Sequence, residues 1–160
     1  MTDDALRRAL LAELAVVQAG LLGIIGAGGH PRPMYHLFAG EGAGIWFLAP
    51  AHGDLLASVG RGAAARFCLT GHRHDLFASL TGPIRPVPDR RGLESVWSPM
   101  AEALFPGGPG DPDRMPLHLT PTEAAIWTAP HSAVVTGMAL VLSGLAGQGE
   151  RAAAHAILPL

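Results

Sequence analysis

The chain has 160 residues, enough for one domain with one core. Its 11 basic residues are all arginine and stand against 13 acids, so the net charge is −2 and the basic footprint of a nucleic-acid binder is absent. Apolar residues make up 49% and charged ones only 15%, a low charge density that places part of the apolar excess at a homodimer interface. Cys68 is the single cysteine, which excludes an intramolecular disulfide and fits a reducing compartment.

Leu6 to Ile25 is rich in Leu, Ala and Val, but Arg7, Arg8, Glu13, Gln18 and Gly20 interrupt it too often for a membrane span. Asp3 and Asp4 stand where a signal peptide would be basic, so the reading is a cytoplasmic protein without membrane contact. Instead, Thr2 can cap a helix over about 3–15, with both aspartates facing its dipole and Leu6, Leu10 and Leu14 on one side. Val16 to Ile25 reads as a strand, ended by Gly26, Gly28 and Gly29.

Arg32 to Ala39 alternates, with Arg32, Met34, His36 and Phe38 on one face. Ile45 to Pro50 is apolar throughout, as in a strand covered on both faces, and the glycine-rich turn 40–44 predicts that these two strands form a hairpin. One face can look into a barrel; the other calls for a helix or a second subunit. Asp54 to Val59 is a short helix, and strands follow at Ala63 to Leu69 and Asp75 to Ile84.

Leu93, Val96, Trp97, Met100, Ala101 and Leu104 form one helical stripe, and Ser98-Pro99 allows a kinked restart inside it. Val96, Trp97, Met100 and Leu104 are therefore expected to be buried. A loop over 105–112 precedes a strand from Met115 to Trp127 that breaks near Pro121. A C-terminal helix is predicted over about 132–145, with 146–160 as a tail. The whole is one domain, mainly β with peripheral α, whose barrel spans about 16–129. Hairpin-connected strands punctuated by Gly and Pro indicate a closed or nearly closed antiparallel barrel.

Four stretches carry a family resemblance: Arg32-Pro33-Met34; Gly44-Ile45-Trp46-Phe47-Leu48; Gly71 to Ala78 with Leu80-Thr81-Gly82; and Val96-Trp97-Ser98-Pro99 with Leu104-Phe105-Pro106-Gly107-Gly108 and Asp111-Pro112. Glu123 to Trp127 matches a last strand. In this order and spacing the chain resembles the general stress protein branch of the pyridoxamine 5'-phosphate oxidase-like family. The resemblance implies a six-stranded antiparallel split β-barrel and a homodimer that binds FMN between its subunits. It also implies a flavin-dependent oxidoreductase acting on a small molecule, with a stress-related role.

By the same resemblance, cofactor contacts fall to Arg32, Pro33, Met34, Trp46, Phe47, Leu48, Ala49 and Trp97, with Arg32 on the phosphate. The family's threonine and lysine at the phosphate are matched here by Ala49 and Leu55, so two polar contacts are missing. Each charged hydrogen bond lost is equivalent to roughly ten- to a hundredfold in affinity. Arg61, Arg66 or His52 could substitute.

Plainer readings stand beside these. Arg32 could be a solvated strand end, and Trp46, Phe47 and Trp97 could be core. His72 and His74 share a face but lack a third ligand at a suitable spacing, so no metal is expected. No catalytic residue stands out. Two functions remain open: a flavin enzyme, or a non-catalytic binding or sensor protein with a degenerate flavin site. Oxidation of pyridoxamine 5'-phosphate itself is disfavoured, because a second phosphate needs a basic cluster that a lysine-free chain offers few groups to build.

Overall fold

The computed structural model describes residues 2–128 and 154–160. Helix α1 (Asp3–Val16) is capped by Thr2, whose hydroxyl accepts from the Ala5 amide at 3.2 Å. It buries Leu6, Leu10 and Leu14 against the barrel.

Strands β1 (Ala19–Ile24), β2 (Arg32–Tyr35), β3 (Ile45–Pro50), β4 (Ala63–Thr70), β5 (Leu76–Pro86), β6 (Arg114–Leu119), β7 (Glu123–Thr128) and β8 (Ala154–Pro159) form one antiparallel sheet. Six of them run in the order β2-β1-β4-β5-β6-β3 and curl into a nearly closed barrel. Strand β7 pairs with β5, and β8 pairs with β7. Helix α2 (Asp54–Val59) links β3 to β4, and α3 (Arg91–Ser95) and α4 (Pro99–Leu104) link β5 to β6.

Strand β5 serves two neighbours in turn. Leu76 to Thr81 pair with β7, whereas Ile84 to Pro86 pair with β6. The handover falls at Gly82, where a Cβ would collide with the Thr120 carbonyl, so only glycine lets the β6–β7 connection cross this closely. Inside the barrel, Leu22, Phe67, Leu80, Ala124 and Leu158 lie in register across five strands and are all buried.

The structure corrects the expected hairpin. Strand β2 pairs with β1, from Ala19↔Tyr35 to Leu22↔Arg32, and β3 pairs with β6. The working turn is the one around Gly26 and Gly28, both in the left-handed region. Between β2 and β3 there is a single bridge, Leu37↔Trp46. The strand expected through Ala39 ends at Tyr35, and the stretch read as a tail contains β8. The predicted helix over 132–145 lies outside the described residues.

Ile45, Phe47 and Ala49 face the barrel core, while Trp46 and Leu48 join a second cluster with Leu37, Leu93, Ala101 and Phe105. The outer face of β3 is thus covered by the chain's own α3 and α4 and calls for no second subunit. Ser98 caps α4, accepting from the Ala101 amide, and Pro99 opens it. Leu93 and Ala101 are buried, Val96, Trp97 and Leu104 partly so, but Met100 is exposed, contrary to the stripe read from sequence. The break between α3 and α4 shifts the helical phase. Among the described residues, no helix is long and apolar enough to cross a membrane.

Candidate functional site

The barrel has one seam, between β2 and β3. Leu37 and Trp46 exchange two backbone hydrogen bonds of 2.9 and 3.0 Å. Continued antiparallel from that pair, the register would set Tyr35 opposite Leu48 and Pro33 opposite Pro50. Neither proline has an amide hydrogen, so a ladder continued that far would lack both donors there; among the described residues the two strands pair only at Leu37↔Trp46. Alternation of antiparallel hydrogen bonding then fixes which groups are left over. The His36 amide donates inward to Gln18, so the backbone groups of Tyr35 and Pro33 point into the seam. On β3 the same alternation points Leu48 into the seam and leaves Phe47 and Ala49 bonded to β6, opposite Leu117 and Met115.

Aromatic rings line the outer side of the seam. Tyr35 meets Phe105 edge-on at 6.4 Å, and Trp97 lies 6.2 Å beyond on the same ring. The Arg114 guanidinium sits over Phe105 at 5.2 Å. Trp97 donates its indole N–H to Glu102 at 2.7 Å, so this half-buried ring is fixed in orientation. Arg90 donates to the Pro109 and Arg114 carbonyls, each at 2.8 Å, and holds the 105–114 loop against the barrel.

Arg32 is the partner of Leu22, so it belongs to the inward-facing row at the end of β2. Its side chain is exposed and makes no hydrogen bond or ion pair with any described residue. It lines a cleft of about 20 Å³ together with His30, Leu22, Leu55 and Ser58. Leu55 thus lines the same cleft as Arg32. His30 and Ser58 are polar groups of this cleft that sequence reading missed; the signal available was His30 two residues before the arginine. Ser58 donates to the Asp54 carbonyl at 2.8 Å, which leaves its oxygen able to accept or redirect.

The fit to a flavin phosphate is thus partial. One free guanidinium and two small polar groups are present, while Ala49 and Leu55 are buried and apolar. Of the other arginines considered, Arg66 is opposite Gly23 on the outward face of β4, and Arg61 is in the turn after α2; neither lines the cleft.

Several other titratable groups have structural partners. Glu13 accepts from the His72 amide at 2.8 Å and pairs with its ring at 3.0 Å, closing the turn in which His74 takes a positive φ of 59°. Among the described residues, no three His, Cys, Asp or Glu side chains gather around a common point suited to a metal ion. His36 is buried, with Nε2 donating to the Leu14 carbonyl at 2.9 Å and Nδ1 without a partner among the described residues. Burial lowers its pKa below the ordinary value, more strongly than the Leu14 hydrogen bond raises it.

Comparison with known proteins agrees with this architecture. A general stress family protein of Xanthomonas campestris pv. campestris superposes with a TM-score of 0.72 at 32% identity, over 81% of this chain and 92% of that one. A general stress protein 26 of Jannaschia sp. gives 0.73 at 27% identity, over 98% and 99%. The general stress FMN/FAD binding protein of Xanthomonas citri gives 0.69 at 31% identity, over 78% and 89%. No curated protein matches the chain. The family model described as pyridoxamine 5'-phosphate oxidase like matches residues 6–150, and the chain belongs to that family.

Proposed function

We propose that the protein binds FMN at the β2–β3 seam, with the phosphate on Arg32. The observation that carries this is a guanidinium without a partner among the described residues, at a cleft beside two strand edges joined by a single bridge. Guanidinium donates two parallel hydrogen bonds to a phosphate, and His30 and Ser58 can add to them. The backbone of Pro33, Tyr35 and Leu48 offers the mixture of acceptors and donors that the edge of a flavin ring requires. Met34 and Trp46 flank these positions, and the Trp97, Phe105 and Tyr35 rings, packed tilted and edge-on, supply an apolar wall. Bound flavin would supply two-electron redox chemistry; the residues here bind, orient and shield it.

A homodimer belongs to this reading. Leu21, Tyr35, Phe77 and Ile157 are exposed on the outer sheet face, around a shallow concavity of about 470 Å³ that includes Cys68. A second copy would cover them. A small-molecule oxidoreductase is the enzymatic form of the proposal. The buried apolar side chains at 49 and 55 favour the second form, a weak flavin binder or sensor without turnover.

Titration by quenching of flavin fluorescence tests the site. Arg32→Ala should weaken FMN binding at least about tenfold, the equivalent of one charged hydrogen bond. Unchanged affinity in a folded Arg32→Ala protein overturns the assignment of the anchor.

A further inference from the structure

A second cavity, of about 190 Å³, lies under α1 and shares no residue with the Arg32 cleft. Its walls are Leu10, Leu11, Leu14, Phe38, Ile45 and Leu80. An apolar cavity of about 150 Å³ in another protein takes up benzene, so this one has room for a benzene ring with a short side chain. Its lining side chains include one cation, Arg7, and one anion, Glu41, and Leu160 lines it beside them. Arg7 donates to the Pro159 carbonyl and makes a single long contact of 3.5 Å with Glu41. Glu41 is 66% exposed, in a turn between Gly40 and Gly42, both at positive φ. A glycine-flanked carboxylate held by one long contact is readily displaced by another carboxylate.

We infer that this cavity is a binding site for a small monocarboxylate with an aromatic or short alkyl tail, seated with its carboxylate on Arg7 and its tail among the leucines of α1. The inference does not depend on flavin binding. Apolar burial drives the tail in, and the fork of Arg7 selects the head. Glu41 competes for the same guanidinium and sets the affinity.

Calorimetric titration with 3-phenylpropanoate tests this, with acetate and 3-phenylpropan-1-ol as the tail-less and uncharged controls. Saturable binding of one molecule per chain is expected, at least about tenfold tighter than either control. Arg7→Ala should reduce it to the level of the alcohol. Glu41→Gln should tighten it several-fold, and Arg32→Ala should leave it unchanged while weakening FMN. Leu11→Trp, at a partly buried wall position, should block the cavity and abolish binding in a protein whose circular dichroism matches wild type. Absence of saturation at about 10 mM, equal affinity for the alcohol, or full binding by folded Leu11→Trp would each overturn the proposal.

Discussion

Leu55→Lys puts the family's missing cation into the cleft beside Arg32, and the structure sets both what it should gain and what it should cost. Leu55 is buried in the main core cluster. Replacing it gives up part of an apolar burial of about 1.5–3 kcal/mol, the stem of lysine retaining the rest. The position is also in the first turn of α2, where a cation opposes the helix dipole by about 0.3–1 kcal/mol. A loss of about 1–3 kcal/mol corresponds to a Tm lower by about 2–12 °C for a chain of this size. The gain is one charge-assisted hydrogen bond to phosphate, worth about 1.5–3 kcal/mol or ten- to a hundredfold in FMN affinity. Thermal unfolding with and without FMN, combined with fluorescence titration, separates the two effects: the apo protein melts lower, and the FMN-induced stabilisation grows. Leu55→Met keeps the volume without the charge and should change neither. A folded Leu55→Lys protein with wild-type FMN affinity would refute the placement of the phosphate at this cleft.

Trp97→Ala should cost about 2 kcal/mol in chemical denaturation, below the 3–5 kcal/mol of a fully buried aromatic, because the ring is half-buried and loses one hydrogen bond. A loss above about 4 kcal/mol would show that the ring is more enclosed than its exposure indicates. Gly44→Ala should destabilise by at least about 2 kcal/mol, since Gly44 sits at φ 67° and a Cβ there collides with the His118 ring. The pKa of His36 is lower in the folded than in the unfolded protein, so its contribution is complete above about pH 6.5 and is lost as pH falls towards the folded value. His36→Gln should flatten the stability profile on the acid side of about pH 6.5, measured by urea unfolding at each pH. An unchanged slope would assign the acid sensitivity to another group. Sedimentation equilibrium at micromolar concentration should give a dimer, and Phe77→Arg should shift it towards monomer.

Much of this was legible from residue types alone. Thr2, Asp3 and Asp4 mark the start of α1 because capping is a local event, and the alternation in β4 and β5 follows from one buried face per strand. Partner choice was not legible. Two glycine clusters, 26–29 and 40–44, are equally good turn signals, and the sequence offers no local reason why the first closes a tight hairpin while the second opens a seam. Pro33 and Pro50 come opposite each other only in the register continued from the Leu37↔Trp46 bridge, which depends on how the barrel's two end strands meet. Strand β8 is as long as β1, β3, β6 and β7, but Ala154 to Pro159 shows no regular apolar alternation that would mark it as a strand. Met100 was misplaced because a helical period was carried across the break at Ser98-Pro99, where the phase resets. At the candidate site, Arg32 and Leu55 were identifiable by family likeness. His30 and Ser58 were not, since their contact depends on where α2 lands on the barrel end.

The two prolines at the seam, one on each strand edge, have a consequence for how the protein behaves in a crowded solution. Unpaired strand edges are the usual template on which a second extended chain assembles, and continued addition leads to fibrils. Here an incoming strand would meet Pro33 on one bank and Pro50 on the other and could not extend a ladder past either. The slot thus excludes polypeptide while leaving individual carbonyls and amides within reach of a compact planar guest. Substituting either proline by a β-branched residue would open this edge to self-association, and the same slot would then template aggregates.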